Sequence, residues 1–387
     1  MRVEHQIRTF EQIFNSYDGA VPLHRFLFIY FKRNKQMGSS DRRWASRYIY
    51  SFFRLGKALL KEDRSQRLAI ADFLCNQSPS LVIEAYLPTL KDKVGLSVAE
   101  KIKLVQSAYP AFKLTDVFSF HEALSTDIEK QEFFESFFTQ PDLFIRAAHG
   151  QQDKIADVLE QEGIVAEKIG AHTLAVPNGT KLDKVLTPEQ LYQVQDLSSQ
   201  QTGEFFQPQQ WDKWWDCCAA SGGKSLLLYD LEPKVELLVS DVRENSLNNL
   251  DERFRAAGLK KYQKKVLDLL QNNDQDLHHY EFDGIILDAP CSGSGTWGRT
   301  PEMLYYFEQH RISYFSRLQR TIATNVVKYL KADKPLIYIT CSVFKEENED
   351  VIAYLLENLP LKLEKMELIK GYHYKADTMF VARLKKS

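Results

Sequence analysis

The feature that most constrains this chain is a recurrence that begins after Pro208: short, almost wholly apolar runs, each closing on a small or polar residue and each followed by a stretch of helical character. The runs are KWWDCCA, VELLVSD, FDGIILDAP and PLIYITCS. A strand buried on both faces reads as a continuous apolar run, and such strands alternating with helices imply a parallel sheet covered on both sides. The predicted fold class of this region is therefore α/β. In open sheets of this kind ligands bind beyond the carboxyl ends of the strands, where the strand order reverses. The residues that close each run are the ones to examine for chemistry.

Upstream the texture differs. From residue 1 to about 130 apolar residues recur at spacings of three and four, as in Phe10, Ile13 and Phe14, then Phe26, Leu27, Ile29 and Tyr30, then Ile49, Phe52 and Phe53. That period predicts a helical bundle. Asp18-Gly19, Met37-Gly38-Ser39 and Gln77-Ser78-Pro79 supply its breaks. Between 131 and 207 a strand candidate LFIRAA (143–148), a helix from Lys154 to Gln161 stopped by Gly163, and a second strand candidate TLAVP (173–177) describe a small α+β unit. A chain of 387 residues is long enough for two or three domains. The predicted division is 1–130 helical, 131–207 α+β and 208–387 α/β.

Bulk composition narrows the class without selecting a function. Hydrophobic, charged and aromatic contents of 44%, 26% and 12% are ordinary for a globular protein. No apolar run reaches the ~18 residues a membrane span needs. The first residues, MRVEHQIRTFEQIF, lack the pattern of a secretory signal, so the expected location is the cytoplasm. Five cysteines, at 75, 217, 218, 291 and 341, are odd in number, and none has zinc-ligand spacing to another Cys or His. Reduced thiols and no metal site are expected. With a formal net charge of −2, nucleic-acid binding would rely on local patches. Residues 1 to 70 hold 14 Lys/Arg against 6 Asp/Glu, and Lys32–Arg54 interleaves Lys35, Arg42, Arg43 and Arg47 with Trp44, Tyr48 and Tyr50. For any one of these charges a solvated helix face is an equally good account.

Four strand ends carry the candidate chemistry. In DCCAASGGKS (216–225), Gly222 and Gly223 let backbone approach a ligand at the start of a helix. A phosphate-cradling P-loop would need glycine at 218, where this chain has Cys218, so a nucleotide-dependent phosphotransferase is disfavoured. VELLVSD ends in Asp241, ~20 residues beyond the glycines, where an acidic side chain can accept ribose hydroxyls. Asp268 in KKVLDLL has nothing local to separate it from a surface aspartate. IILDAPCSGSG brings Asp288 and Cys291 to a strand end, and LIYITCS brings Cys341 to the next. A lone cysteine there is usually a small buried hydrophobe, but two on one rim beside an aspartate favour nucleophilic chemistry.

Together these strings resemble the Sun-type family of RNA cytosine-5 methyltransferases, including its bacterial RsmB-like or Fmu-like ribosomal branch. The family's D-x-C-A-A-P-G-G-K-T is matched by Asp216, Cys218, Ala219, Ala220, Gly222, Gly223 and Lys224, with Ser221 in place of the usual proline. D-A-P-C-S-G-x-G runs from Asp288 to Gly295, and R-x-P-[DE] is matched by Arg299, Pro301 and Glu302. T-C-S is Thr340, Cys341 and Ser342, followed by Glu347, Asn348 and Glu349, and VQDLSSQ (194–200) is similar to the family's Q-D-x-[AS]-S. The likeness covers 135–387 well and the amino-terminal 130 residues loosely.

The resemblance implies a Rossmann-like S-adenosylmethionine-dependent methyltransferase sheet, preceded by an RRM-like subdomain that contacts RNA and by a helical domain. It implies that backbone of 218–224 holds the methionine end of the cofactor, Asp241 the ribose and Asp268 the adenine, with Asp288 near the sulfonium. Lys224 would face the cofactor carboxylate or an RNA phosphate, and Arg146 and Arg299 are candidate phosphate contacts. It further implies Cys341 as the thiol that attacks cytosine, Cys291 as a helper in release and Asp288 as a partner of the base. From the residues alone either thiol could attack, because Pro290-Cys291 also resembles the attacking dipeptide of DNA cytosine-5 methyltransferases. The expected substrate is ribosomal RNA, with transfer RNA or a catalytically silent RNA-binding or ribosome-assembly factor as alternatives. No oligomeric state is implied.

Overall fold

The four apolar runs do become neighbouring strands. The structure, a computed structural model, describes residues 3–187 and 192–387. Among the described residues there are eleven strands: β1 (Leu143–Ala147), β2 (Glu167–Ile169), β3 (Thr173–Val176), β4 (Tyr192–Val194), β5 (Lys213–Asp216), β6 (Glu236–Asp241), β7 (Gln263–Val266), β8 (Gly284–Asp288), β9 (Pro335–Thr340), β10 (Leu361–Ile369) and β11 (Met379–Lys386). The larger sheet has the order β10-β11-β9-β8-β5-β6-β7. From β7 across to β9 every pairing is parallel, and β11 and β10 close that edge as an antiparallel hairpin.

The chain leaves β5 for β6 and β7 on one side and returns to β8 on the other, so the order reverses at the carboxyl ends of β5 and β8. That crevice is where ligands bind in such sheets. Burial explains why these strands were legible: Trp214, Trp215, Leu238, Val239, Ile285, Ile286, Ile337 and Ile339 are all buried, and Trp214, Val239, Ile286, Ile337 and Ile339 share a core with helices Gly223–Leu231 and Glu244–Ala256. The sequence reading missed β7, β10 and β11. β7 exposes Gln263, Lys264 and Val266, and β10 exposes everything from Lys362 to Glu367, so neither carries a continuous apolar signal.

The small α+β unit is an antiparallel sheet of order β2-β3-β1-β4. Helix Gln152–Gln161 buries Ile155 and Leu159 against Ile145, Leu174 and Val176. By packing, this sheet clusters with the larger one: Ala123–Ile128, Pro141–Gly295 and His310–Ser387 form one compact unit. The other unit comprises the chain up to Glu122 together with Glu129–Gln140 and Thr296–Gln309.

In that second unit helix Ser39–Arg54 buries Tyr48, Ile49, Phe52 and Phe53 on one face. The segment after Gly295 belongs here. Trp297 is buried against Phe118 and Phe307. Arg54, buried, donates to the carbonyls of Phe137 at 2.6 Å and Gly298 at 2.7 Å. Glu302 is buried and accepts from the backbone N–H of Leu23 at 3.0 Å. Burial raises its pKa above the usual carboxylate range. The R-x-P-E string is thus built into the helical unit. Among the described residues no helix is long and apolar enough to cross a membrane, and no group of three or more His, Cys, Asp or Glu is placed to hold a metal ion.

Candidate active site

The loop that leaves β5 is held by its neighbours on both sides. Cys217 N–H donates to Ile286 O at 3.0 Å, Ala219 N–H to Ser240 O at 2.8 Å, and Ala220 N–H to Oδ2 of Asp241 at 3.0 Å. Ala220 and Gly222 take positive φ, +46° and +82°. Glycine is required at 222 on two counts, since an added Cβ would also come within 2.5 Å of Phe254. At Gly223 the nearest atom to such a Cβ is Nη1 of Arg253, 3.9 Å away, so the first residue of the helix faces open space. A glycine-lined turn at the switch point, opening a helix and backed by an acidic strand end, fits the aminoacyl and ribose portions of a nucleoside cofactor. Asp241 is 6% exposed, and its Oδ1 also accepts from Arg243 N–H at 2.9 Å and Nε at 3.1 Å. Asp268 lies beyond β7, exposed, with Oδ1 accepting from Leu270 N–H at 3.0 Å in an Asx turn. Cys218 is half-buried beside the buried Cys217.

Beneath this loop lies Asp216, wholly buried, accepting from Ser225 Oγ at 2.6 Å through one oxygen while the other has no partner. Burial pushes its pKa up to about 7. Lys224 turns away from solvent, 6% exposed, and its Nζ donates to Oδ2 of Asp288 at 3.1 Å and to Ser199 Oγ at 2.8 Å. Ser199 in turn accepts from Gln195 Nε2 at 3.1 Å. The VQDLSSQ segment therefore supports the Lys224–Asp288 pair. Arg146 is not a surface cation: it is 6% exposed, donates through Nε to Gln195 Oε1 at 2.7 Å and pairs with Asp230. An inward-facing position on β1 places its head group in the protein, which corrects the expectation of an exposed phosphate contact. Arg299 lies in the other unit, half-buried.

At the ends of β8 and β9 the two thiols meet. Cys291 Sγ is 3.3 Å from Cys341 Sγ. Contact with Cys341, then burial, then the charge of Glu347 push the Cys291 thiol well above its ordinary range. Close backbone packing makes this possible: Gly295 N–H donates to Cys341 O at 2.8 Å, and a Cβ at 295 would stand 2.0 Å from Thr378 O. Glu347, buried, ties the two cysteine loops together. Its Oε2 accepts from Ser292 N–H at 2.9 Å and Gln319 Nε2 at 3.0 Å, and its Oε1 from Ser342 Oγ at 2.8 Å. Ser199, Gln319 and Glu347 brace the candidate site residues through these contacts, and the sequence reading assigned them no role. Only the matched E-N-E and Q-D-x-x-S strings could have pointed to two of them; Gln319, inside helix His310–Val327, carries no signal.

Comparisons with known proteins agree with this architecture. Residues 204–385 match the family described as 16S rRNA methyltransferase RsmB/F. The ribosomal RNA small subunit methyltransferase B of Proteus mirabilis is 31% identical over 225 residues, which is 57% of this chain and 53% of that protein. The chain thus spans about half the length of that curated relative. Among solved structures, PH0851 superposes with a TM-score of 0.70 at 20% identity, covering 94% of this chain and 95% of that one. NSun6 from Pyrococcus horikoshii, solved with SFG, gives a TM-score of 0.59 at 18% identity over 69% of this chain and 97% of that one. These likenesses establish the methyltransferase fold.

Proposed function

We propose that this chain, whose residues 204–385 match the RsmB/F methyltransferase family, methylates carbon 5 of cytosine in small-subunit ribosomal RNA, with S-adenosylmethionine as methyl donor. The observation that carries this reading is the contact of two thiols at adjacent strand ends, 3.3 Å apart, on the sheet rim that also presents Asp288. Binding alone needs neither thiol. The relatives named for small-subunit ribosomal RNA support the substrate, and SFG on the NSun6 neighbour, a cofactor analogue, supports the donor. RNA is the partner and the cytoplasm the compartment.

Carbon 5 of cytosine is a weak nucleophile. Addition of the Cys341 thiolate to carbon 6 makes carbon 5 enamine-like. When bound, S-adenosylmethionine supplies the methyl group that carbon 5 takes up. Backbone of 218–224, including Cys218, Ala219, Ala220, Ser221, Gly222 and Gly223, would hold its methionine end, Asp241 its ribose and Asp268 its adenine. Asp288, braced by Lys224, accepts a hydrogen bond from the amino group or protonated ring nitrogen of the base and fixes its orientation for the attack. Release requires loss of the carbon 5 proton and return of the carbon 6–sulfur electron pair to Cys341. Cys291 serves both needs, giving its proton to the departing sulfur and taking one in exchange. The geometry demands an unpaired or flipped-out cytosine.

The test is incubation of wild type, Cys341→Ala and Cys291→Ala with ribosomal RNA, transfer RNA and labelled S-adenosylmethionine, scoring 5-methylcytosine and RNA trapped on protein. Silence of Cys341→Ala with adduct accumulation by Cys291→Ala supports the roles given. An adduct that requires Cys291 reverses them, label in transfer RNA alone changes the substrate, and no label from wild type leaves a silent RNA-binding factor.

A further inference from the structure

Ser221 stands where the resembled motif carries proline, and the structure gives it a partner of its own. Arg253, on helix Glu244–Ala256, donates through Nη1 to Ser221 O at 3.1 Å and Ser221 Oγ at 3.0 Å. Its Nη2 donates to Gln193 Oε1 at 3.0 Å, on β4 of the small sheet. The same helix supplies Leu250 and Phe254, which lie 3.0 and 2.5 Å from where a Cβ on Gly222 would be. One helix face therefore fixes consecutive residues of the loop from below and from the side. Burial and the neighbouring charge of Arg146 both work against the Arg253 cation, so its place beside the loop is opposed by desolvation and repulsion and retained by these hydrogen bonds.

A proline restricts its own φ covalently and removes freedom from the unbound loop. Serine does not. We propose that Arg253 is a positioning residue for the methyl donor: its guanidinium clamps Ser221 to Gln193, holds the 218–224 backbone in its ligand-ready shape, and couples the seating of the small sheet to cofactor affinity. The proposal rests on the reading of this loop as the S-adenosylmethionine site. It differs from a general stabilising link in where the effect falls, on donor affinity and loop opening and not on the methyl-transfer step.

The experiment compares full-length wild type, Arg253→Ala, Ser221→Ala, the double variant and Arg253→Lys. S-adenosylmethionine affinity is read by calorimetry, steady-state constants with RNA, and loop opening by amide hydrogen exchange at 219–223 without ligand. Arg253→Ala should weaken donor binding about fivefold to twentyfold, the loss of one or two hydrogen bonds from a charged donor. KM for the donor should rise with kcat at saturation unchanged, and loop exchange should quicken. Ser221→Ala, which keeps the carbonyl contact, should lose about twofold, and the double variant should bind no worse than Arg253→Ala. Arg253→Lys, keeping charge without the fork, should fall between. Unchanged affinity and exchange in Arg253→Ala, additive losses in the double variant, or a fall in kcat alone would overturn the clamp. Wild type that binds no S-adenosylmethionine while its loop exchange still depends on Arg253 would instead overturn the cofactor reading.

Discussion

Cys291 and Cys341 meet sulfur to sulfur at 3.3 Å, and it is this contact, ahead of burial, that holds the Cys291 proton in place. Two sulfur anions at such a distance repel, so ionisation of one thiol opposes ionisation of the other. A thiol that keeps its proton at neutral pH suits the donor's part in product release better than the attacker's. Removing the neighbour should undo this. In Cys341→Ala the onset of Cys291 alkylation by iodoacetamide should move to lower pH than in wild type. Mass-spectrometric mapping of the alkylated peptide across pH checks it, and an unmoved onset would assign the shift to burial alone.

Glu347 joins the loop of one thiol to the loop of the other through Ser292 N–H and Ser342 Oγ. Burial raises its pKa, but hydrogen bonds from Ser292, Ser342 and Gln319 oppose the rise and require an acceptor on each oxygen. Glutamine offers one acceptor and a pair of donors that would face donors. Glu347→Gln should therefore lose about 1–3 kcal/mol of stability, the penalty for leaving a buried partner unmet. The spacing of the thiols should loosen with it, so kcat should fall more than donor affinity. Urea unfolding beside single-turnover methylation would separate the two effects; normal turnover at reduced stability would leave Glu347 a purely structural group.

What could be read from the sequence follows from burial. β5, β6, β8 and β9 are covered on both faces and announce themselves as apolar runs, and the residues closing those runs line the switch point. β7 and β10 lie at sheet edges with charged residues outward, so their pattern imitates loop. The packing of 296–309 into the helical unit depends on pairs such as Leu23–Glu302 and Arg54–Gly298, separated by 279 and 244 residues, and no local pattern encodes a contact that distant. Arg146 looked like a phosphate ligand because strand alternation gives no hint of Asp230 waiting beneath it. Ser199 was visible as part of a string, while its purpose is visible only once Lys224 folds back onto it.

That Lys224 contact makes its own prediction. The ammonium is nearly buried between Asp288 and Ser199, so its removal leaves a carboxylate without a counter-charge at the point where, in the proposed function, the base would be held. Lys224→Met should lower kcat by about a hundredfold or more, the scale seen when one preorganised electrostatic donor is deleted. Ser199→Ala takes away a single neutral partner and should lower kcat by about twofold to tenfold. Rapid-quench methylation at saturating donor and RNA measures both. Equal losses in the two variants would mean that Ser199 acts on the base or the cofactor directly.

Asp216 links the loop to pH. Its carboxyl is pushed up to about 7 mainly by burial, helped by the charges of Asp288 and Asp241 and opposed by Ser225 and Lys224. An unfolded aspartate releases its proton near ~4. Between those two values the native state holds a proton that the unfolded chain has lost, so stability falls as pH rises. The contribution is complete below about pH 4 and gone above about pH 7, with a slope of at most ~1.4 kcal/mol per unit and a total on the order of 4 kcal/mol. Glu347 adds to the fall in the same direction, since its pKa is also raised, so the wild-type curve alone does not isolate Asp216. Asp216→Asn does, because an amide keeps an oxygen for Ser225 Oγ and does not titrate. Urea unfolding of both proteins from pH 5 to 8 should show wild type losing stability relative to Asp216→Asn as pH rises, and levelling once Asp216 is ionised. Parallel curves would mean that Asp216 is already charged at pH 5, and that the partnerless oxygen beneath the cofactor loop carries no proton to lose.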